Sequence, residues 1–258
     1  MKRNLLLLVA LILCSAKALP FPQAKSLSVD EVVLKAQEQK KKQKEYLKDY
    51  VYKSSEALRE LDSKGKVKSE TKVEKKIYVK GDLYHEEILS VEEDGKFSNE
   101  KEIKKWQEQR NKMERESVKE DPSFSPLDIQ AHSQSPYYFL REDTLNGVLT
   151  YLLKTGLKAK EILFDEWLWV DQKNFGVIKE ERILSKKQKY LKEMRMEVEF
   201  QKIETKDPSL VPIFLPASLR ISAEAGFLFK KKRLNIEKVN SDFQLNPGLG
   251  DEIFPVKK

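Results

Sequence analysis

The chain of 258 residues carries 49 lysine and arginine residues against 42 acidic ones, a net charge of +7, and has a single cysteine. Hydrophobic residues make up 40% of it, enough to bury the core of one large or two small domains. With one cysteine, neither an internal disulfide nor a cysteine-rich zinc site can form. A basic protein often binds nucleic acid, so the distribution of the charges along the chain matters.

The first eighteen residues have the pattern of a secretory signal peptide. Two cations precede an apolar run over residues 5–13, and Ala16 and Ala18 place small residues where a signal peptidase requires them. We predict cleavage after Ala18, which removes Cys14 and three lysine or arginine residues and so lowers the net charge from +7 to +4. The run is also too short to span a bilayer, for which about 20 apolar residues are needed.

A second interpretation of this segment stays open. Residues 11–14 resemble a lipobox, in which Cys14 would be lipidated and become the mature N-terminus, although the bulky Leu13 stands where a small residue is usual. In both interpretations the protein leaves the cytoplasm. We expect it in the periplasm, free or anchored at Cys14.

The first element after the signal is predicted to be an amphipathic helix. Ser28 and Glu31 have the spacing of a capping box. Apolar residues then recur on one helical face, at Val29, Val32, Val33 and Ala36. This apolar stripe ends in the lysine-rich residues 40–44, which we expect to be solvated.

From about residue 49 apolar and polar residues alternate, as they do in half-buried strands. Short glycine-containing turns separate runs over residues 49–61, 67–79 and 83–91, which predicts an antiparallel meander. Later runs at similar spacing bring the total to nine to eleven strands, with no crossover helices between them. The pattern favours an antiparallel sheet curled into a barrel or half-barrel.

Residues 99–136 interrupt the strands with a charged segment and a connector rich in proline and serine. Asn99 can cap a helix, along which only Ile103, Trp106 and Met113 form an apolar seam. We expect a largely solvated helix to residue 120 that is attached to the body through Trp106. An arm that binds a partner is the alternative. The connector predicts irregular structure.

Few residues could support catalysis or metal binding. His85 and His132 lie on a predicted strand and in the connector, without further ligands or a nucleophile motif around them. Asp165 and Glu166 stand beside Trp167 in a pattern that resembles a carbohydrate site only loosely. The sequence has no phosphate-binding loop and no dinucleotide motif. We therefore expect no enzymatic activity, no cofactor and no metal.

The basic clusters lie at residues 40–44, 186–189 and 230–233, but most cations of the chain alternate with glutamate. Nucleic-acid binding usually gathers cations on one face, with aromatic residues for stacking. We do not expect a nucleic-acid partner. The strongest patch, residues 230–233, is interpreted as the charged end of a hairpin, with peripheral contact to anionic lipid headgroups as the alternative.

Large apolar side chains on the strands are the remaining indication of function. A curled sheet with an apolar concave face can pack helices against it or enclose a hydrophobic ligand, and alternation alone does not distinguish the two. The apolar stripe of the N-terminal helix would cover this face as a lid. The candidates for lining such a site are Tyr151, Trp167, Trp169, Met194, Met196, Val198, Phe200, Leu219 and Ile221.

The layout resembles the outer-membrane lipoprotein-sorting proteins, the LolA-like superfamily. A signal peptide and one amphipathic helix precede a strand that opens at Tyr50-Val51-Tyr52. The further motifs are Leu168-Trp169-Val170-Asp171 at a strand end, Arg182 in the next strand, Phe214-Leu215-Pro216 before the last strands, and Val239-Asn240-Ser241-Asp242-Phe243 as a closing segment.

The resemblance implies a mainly β fold with helices: a strongly bent, incomplete antiparallel barrel whose open side is plugged by helices. It also implies a periplasmic location and a cavity for acyl chains of lipoproteins or other lipids. Residues 99–136 are an insertion relative to a minimal carrier.

We therefore expect residues 19–258 to form one half-barrel domain. It would act as a monomeric, non-enzymatic carrier or binder of lipid or lipoprotein acyl chains, in lipoprotein sorting or envelope biogenesis. The alternative is an envelope interaction or sensor module with the same fold and a filled core, in which residues 99–120 engage a partner protein.

Overall fold

The computed structural model describes residues 27–117, 136–159, 162–188, 190–205, 210–227 and 230–254. The predicted cleavage site at Ala18, the lipobox Cys14 and the connector residue His132 lie outside these described residues.

The two α-helices in the described part of the chain begin at the capping residues that the sequence predicts. At the start of helix α1 (Val29–Tyr46), the Ser28 hydroxyl accepts from the Glu31 amide, and the Glu31 carboxylate accepts from the Ser28 amide at 2.7 Å. Helix α2 (Glu100–Ser117) follows Asn99, whose side-chain oxygen accepts from the Glu102 amide at 3.1 Å. Neither described helix combines the length and the apolar content that crossing a membrane requires.

Within the described residues, eleven strands form one antiparallel sheet, in agreement with the predicted nine to eleven. Their bounds are β1 Asp49–Leu61, β2 Val67–Lys80, β3 Leu83–Glu93, β4 Lys96–Phe97, β5 Tyr138–Leu145, β6 Val148–Ala159, β7 Ile162–Asp171, β8 Val177–Leu184, β9 Leu191–Ile203, β10 Ile213–Phe227 and β11 Lys230–Leu245. The order in the sheet is β4-β3-β2-β1-β11-β10-β9-β8-β7-β6-β5. Strands β1 to β4 thus join the later strands through the pairing of β1 with β11, and the sheet is an open, bent half-barrel.

Both helices lie on the same, concave face of the sheet. Directly opposed residues of antiparallel strands project to one face, so that face can be followed from strand to strand. One such row is Leu168–Glu180–Val198–Leu219–Lys238–Glu56–Val73–Val91. Helix α1 packs at the Leu168 end of this row, and Ile103 and Trp106 of α2 pack against Val73 and Val91 at the other end. We call this side of the sheet the helix face.

Helix α1 covers a packed core. All four residues of its predicted apolar stripe contact this core, with Val32 and Ala36 buried and the other two valines at the margin. On the sheet side, Leu153, Leu168 and Val170 are completely buried. Each such side chain contributes about 1.5–3 kcal/mol through its burial.

Two glutamines of α1 take the place of a missing strand beside the start of β10. Because β11 pairs with β10 only from Ser218 onward, the backbone of Phe214 has no strand partner on that side. The Gln43 amide nitrogen donates to the Phe214 carbonyl at 3.0 Å, and its oxygen accepts from the Phe214 amide at 2.9 Å. Gln39 likewise donates to the Pro212 carbonyl at 2.8 Å. The helix end is solvated at Lys41, Lys42 and Lys44, which are exposed as expected, whereas Gln43 between them is bonded to β10.

Candidate functional site

Between the two helices, the helix face carries an apolar strip. We define the central strip by the inward side chains of four neighbouring strands: Met194, Met196 and Val198 of β9, Leu219, Ile221 and Ala223 of β10, Leu234 and Ile236 of β11, and Leu58 of β1. Met196, Ile221, Ile236 and Leu58 oppose one another in register, so the strip continues across all four strands. With about 4.8 Å between strands, this row is about 14 Å wide.

The central strip is only partly covered. Met196 is 3% exposed, whereas Ile221 and Ile236 are half-buried and Leu58 is 38% exposed. The buried clusters that the sheet forms with α1 and α2 include none of the strip residues of β10 and β11. The strip therefore lies between the two helices rather than beneath either of them.

The structure brings seven of the nine sequence candidates to the helix face. Five of them, Met194, Met196, Val198, Leu219 and Ile221, belong to the central strip. Tyr151 and Phe200 pack instead against the core beneath α1. There Tyr151 stacks on Phe175, with 6.4 Å between the ring centroids.

Trp167 and Trp169 lie on the opposite face. The even-numbered residues of β7 face the helices, so these odd-numbered tryptophans face outward. Lys154 Nζ lies 5.0 Å from the centroid of the Trp167 ring, and Lys179 Nζ lies 5.2 Å from that of Trp169, both in cation–π geometry. Sequence alternation could not assign them because β7 is apolar on both faces.

A buried ion cluster borders the central strip on the α1 side. Arg182, which opposes Met196, donates through Nε to Glu166 at 2.7 Å and lies 2.5 Å from a carboxylate oxygen of Glu180. The side chains of Glu166 and Glu180 are 0% and 1% exposed. Burial raises the pKa of Glu180 well above its usual range, and Arg182 only partly opposes this shift. Glu180 therefore stays protonated at pH values where an exposed glutamate is ionised.

A second ion cluster borders the strip on the α2 side; we call it the cationic cluster and define it as Glu56, Lys75, Glu86, Arg110 and Lys238. The ammonium of Lys75 lies 2.6 Å from Glu56 and 3.2 Å from Glu86, and only 2% of the side chain is exposed. Arg110 of α2 lies 3.9 Å from Glu56. Burial by itself would raise the pKa of Glu86, but Lys75, Tyr84 and Arg110 together lower it.

Two members of the cationic cluster, Lys238 and Glu56, adjoin the strip. Lys238 stands in one row between Leu219 and Glu56, two residues after Ile236 on the same face of β11, and Glu56 lies two residues before Leu58 on β1. Burial lowers the pKa of the Lys238 ammonium, and the charge of Lys75 lowers it further. Its Nζ lies 5.8 Å from the centroid of the Tyr52 ring.

Two shallow depressions of about 140 and 480 Å³ adjoin the central strip. The smaller one includes Ile221 and Ile236 and the larger one includes Met194 and Ala223, while charged and polar side chains make up most of each lining. In the described parts of the chain, no group of three or more histidine, cysteine or acidic side chains could hold a metal ion. His85 stacks on Tyr78, with 6.0 Å between the rings.

Neither ion cluster was predicted from the sequence. Lys75 stands between Val73 and Ile77 at a position where the alternation of β2 calls for an inward apolar residue. Lys238 has the same relation to Ile236 on β11. A charge at an inward position was the available signal for each lysine, but their partners come from other strands.

Comparison of the sequence with protein-family models and with curated proteins finds no match. Among solved structures, the chain is similar to a candidate outer membrane lipoprotein-sorting protein domain from Vibrio parahaemolyticus, with 11% identity over 85% of this chain and 94% of that one, at a TM-score of 0.43. It is also similar to a DUF1329 family protein from Desulfovibrio piger, with 14% identity over 89% and 98% of the two chains and a TM-score of 0.41. The Pseudomonas aeruginosa MucA/MucB complex follows at 8% identity, 81% and 98% coverage and a TM-score of 0.26. A lipoprotein-sorting domain is thus among the similar structures, and no residue of this chain takes its role from them.

Proposed function

We propose that this protein is a periplasmic, non-enzymatic binder or carrier of an acyl chain of a lipid or lipoprotein, and that the central strip is its binding surface. The observation that carries the proposal is the row of Met196, Ile221, Ile236 and Leu58, which is apolar across four strands and partly open. A contiguous apolar surface on a protein outside the membrane typically marks a binding site.

The opposite face of the same strands supports this assignment. The outward neighbours of the strip on β10 are Arg220 and Ser222, both exposed, and the next strand presents Glu237. The chain therefore separates a charged outer face from an apolar inner one. Methionines within the strip add adaptable surface, which suits flexible acyl chains of varying shape.

Export supports the periplasmic part of the proposal. Residues 1–18 have the pattern of a signal peptide, and residues 19–258 would then form the exported domain. A carrier in an aqueous compartment needs a surface that shields acyl chains from water, and burial of their methylene groups supplies the free energy of binding, about 0.8 kcal/mol for each.

Ile236→Gln tests the proposal, because it places a polar amide in the middle of the strip. We expect the affinity for a fluorescent fatty acid to fall about tenfold or more, since a buried isoleucine side chain contributes about 1.5–3 kcal/mol. Val239→Gln is the matched control: it lies on the same strand, faces outward and is already 57% exposed. It should leave the affinity unchanged.

Equal affinities for the wild type and both variants would contradict a site on the central strip. A second candidate function then gains weight, because the core beneath α1 is packed and much of the charged helix α2 is exposed. In that case the protein would be an envelope interaction module that binds a partner through α2. A wild type that takes up no fatty acid, but loses a co-purifying partner when residues 100–117 are deleted, would favour this function.

A further inference from the structure

We propose that the ligand carries a single negative charge and that Lys238 binds it, which makes the ligand class a long-chain fatty acid. The inference rests on the proposed function of the central strip and adds the chemistry of the ligand's polar end.

The position of Lys238 suits this role. It directly opposes Leu219 of the strip on one side and Glu56 on the other, and Ile236 of the strip lies two residues before it on the same face. An acyl chain lying on the strip would therefore have its end beside the Lys238 ammonium. The nearby Tyr52 ring, 5.8 Å away, favours a cation at this place.

The charges around Lys238 leave it available. Lys75 lies within 3.2 Å of both carboxylates of the cationic cluster, and Arg110 lies 3.9 Å from Glu56. Among the residues that the structure describes, no carboxylate lies within 4 Å of Lys238 Nζ, whose lowered pKa reflects the cost of its burial. Lys238 is half-buried, and an ammonium that has lost part of its water without gaining an ion-pair partner is unfavourable. An added anion would relieve this.

The number of charges favours a carboxylate over a doubly charged phosphate. The cationic cluster holds three cations and two carboxylates, so one positive charge remains for a ligand. Arg182, the cation on the other side of the strip, is already bound by Glu166 and Glu180. A fatty acid has one carboxylate and one apolar chain, and it matches both Lys238 and the strip.

The test compares palmitate with methyl palmitate, which has the same chain without the charge, by calorimetry or by displacement of a fluorescent probe. We expect Lys238→Met to weaken palmitate binding about tenfold or more and to leave methyl palmitate unchanged. Lys238→Arg keeps the charge and should retain palmitate binding. Lys232→Met is the matched control, because Lys232 lies on the same strand and face but is 67% exposed and pairs with Glu60.

The outcomes separate this inference from the proposed function. If the wild type binds palmitate and its methyl ester equally, and Lys238→Met changes neither, the inference is overturned while the strip remains a binding site. If the wild type binds neither molecule, the proposed function itself fails. Lys238→Met should fold, because the lysine side chain is only half-buried, methionine keeps most of its length, and Lys75 still pairs with both carboxylates. Should it nevertheless unfold, loss of palmitate binding in a folded Lys238→Gln variant supports the inference, and unchanged binding overturns it.

Discussion

Glu180 lies buried beside Glu166, and both carboxyl groups contact the guanidinium of Arg182. Burial raises the pKa of Glu180, the neighbouring Glu166 raises it further, and Arg182 and Lys40 oppose the shift. Between the usual glutamate pKa and this raised value, the folded protein keeps a proton that the unfolded chain releases. The contribution of Glu180 to the free energy of unfolding therefore falls as the pH rises through that range.

Glu180→Gln should remove this pH-dependent fall in the free energy of unfolding. Glutamine is neutral at every pH and can still donate to Glu166 as the protonated acid does. We expect the variant to melt at a higher temperature than the wild type at pH 7.5, and the difference to shrink towards pH 4.5. Each kcal/mol gained raises the melting temperature of a domain of this size by about 2–4 °C, so thermal unfolding across this pH range measures it.

Glu181→Gln is the control for that experiment, because it removes the same charge from the outward face of the same strand, where Glu181 pairs with Arg195 at 3.0 Å. It should give no rise in melting temperature. A Glu180→Gln variant that melts lower than the wild type throughout would contradict the account, since the cluster would then depend on an ionised Glu180.

Single residues also show how far the sequence could predict the site. The residues of β9 and β10 that face inward were predicted correctly. There the apolar residues of Met194 to Phe200 and of Leu219 to Ala223 alternate with charged or polar neighbours, which lie outward. The outward position of Trp167 was not predictable from an apolar strand. The partners of Lys75 were not predictable either, because Glu56 reaches it only through the register of β1 with β2.

At the level of whole elements, helix α1 is held to the sheet by polar contacts as well as by its apolar stripe. Gln43 bonds to both the amide and the carbonyl of Phe214, and Asn246 accepts from the Lys48 amide at 2.7 Å just beyond the helix. These contacts fix the position of α1 relative to the ends of β10 and β11. They thereby keep the helix to one side of the central strip.

Gln43→Ala should lower the free energy of unfolding by about 1–3 kcal/mol, because it leaves a buried amide and carbonyl of β10 without partners. Chemical denaturation measures the change. Gln37→Ala is the matched control: it lies on the same helix and makes no side-chain hydrogen bond among the described residues. Because alanine has a higher helix propensity than glutamine, the control should lose no stability. A loss of similar size in both variants would therefore contradict a specific role of the bonds to Phe214.

The elements that depend on local chemistry were predicted well. The capping residues Ser28 and Asn99 begin α1 and α2 as expected, and the apolar seam of α2 packs through Ile103 and Trp106. The lysines at the end of α1 are largely exposed as predicted, but the contact of Gln43 with β10 was missed because it links residues 171 positions apart. Local patterns carry no information about such a contact.

For the molecule as a whole, the spacing of the strands predicted an antiparallel half-barrel with a helix over its concave face, and this is confirmed. What the sequence did not show is the division of that face. Helix α1 and one ion cluster occupy one side, helix α2 and the cationic cluster occupy the other, and the central strip lies between them. This division depends on the pairing of β1 with β11, the first and the last strand of the chain.

Native mass spectrometry of the protein, isolated from its own envelope without detergent, tests whether the central strip holds an acyl chain. We expect one bound molecule per chain, with the mass of a fatty acid or another single-chain carboxylate. We also expect that the bound mass is lost in Ile236→Gln and kept in Val239→Gln. A chain that is empty as isolated, and stays empty after incubation with palmitate, would contradict the account.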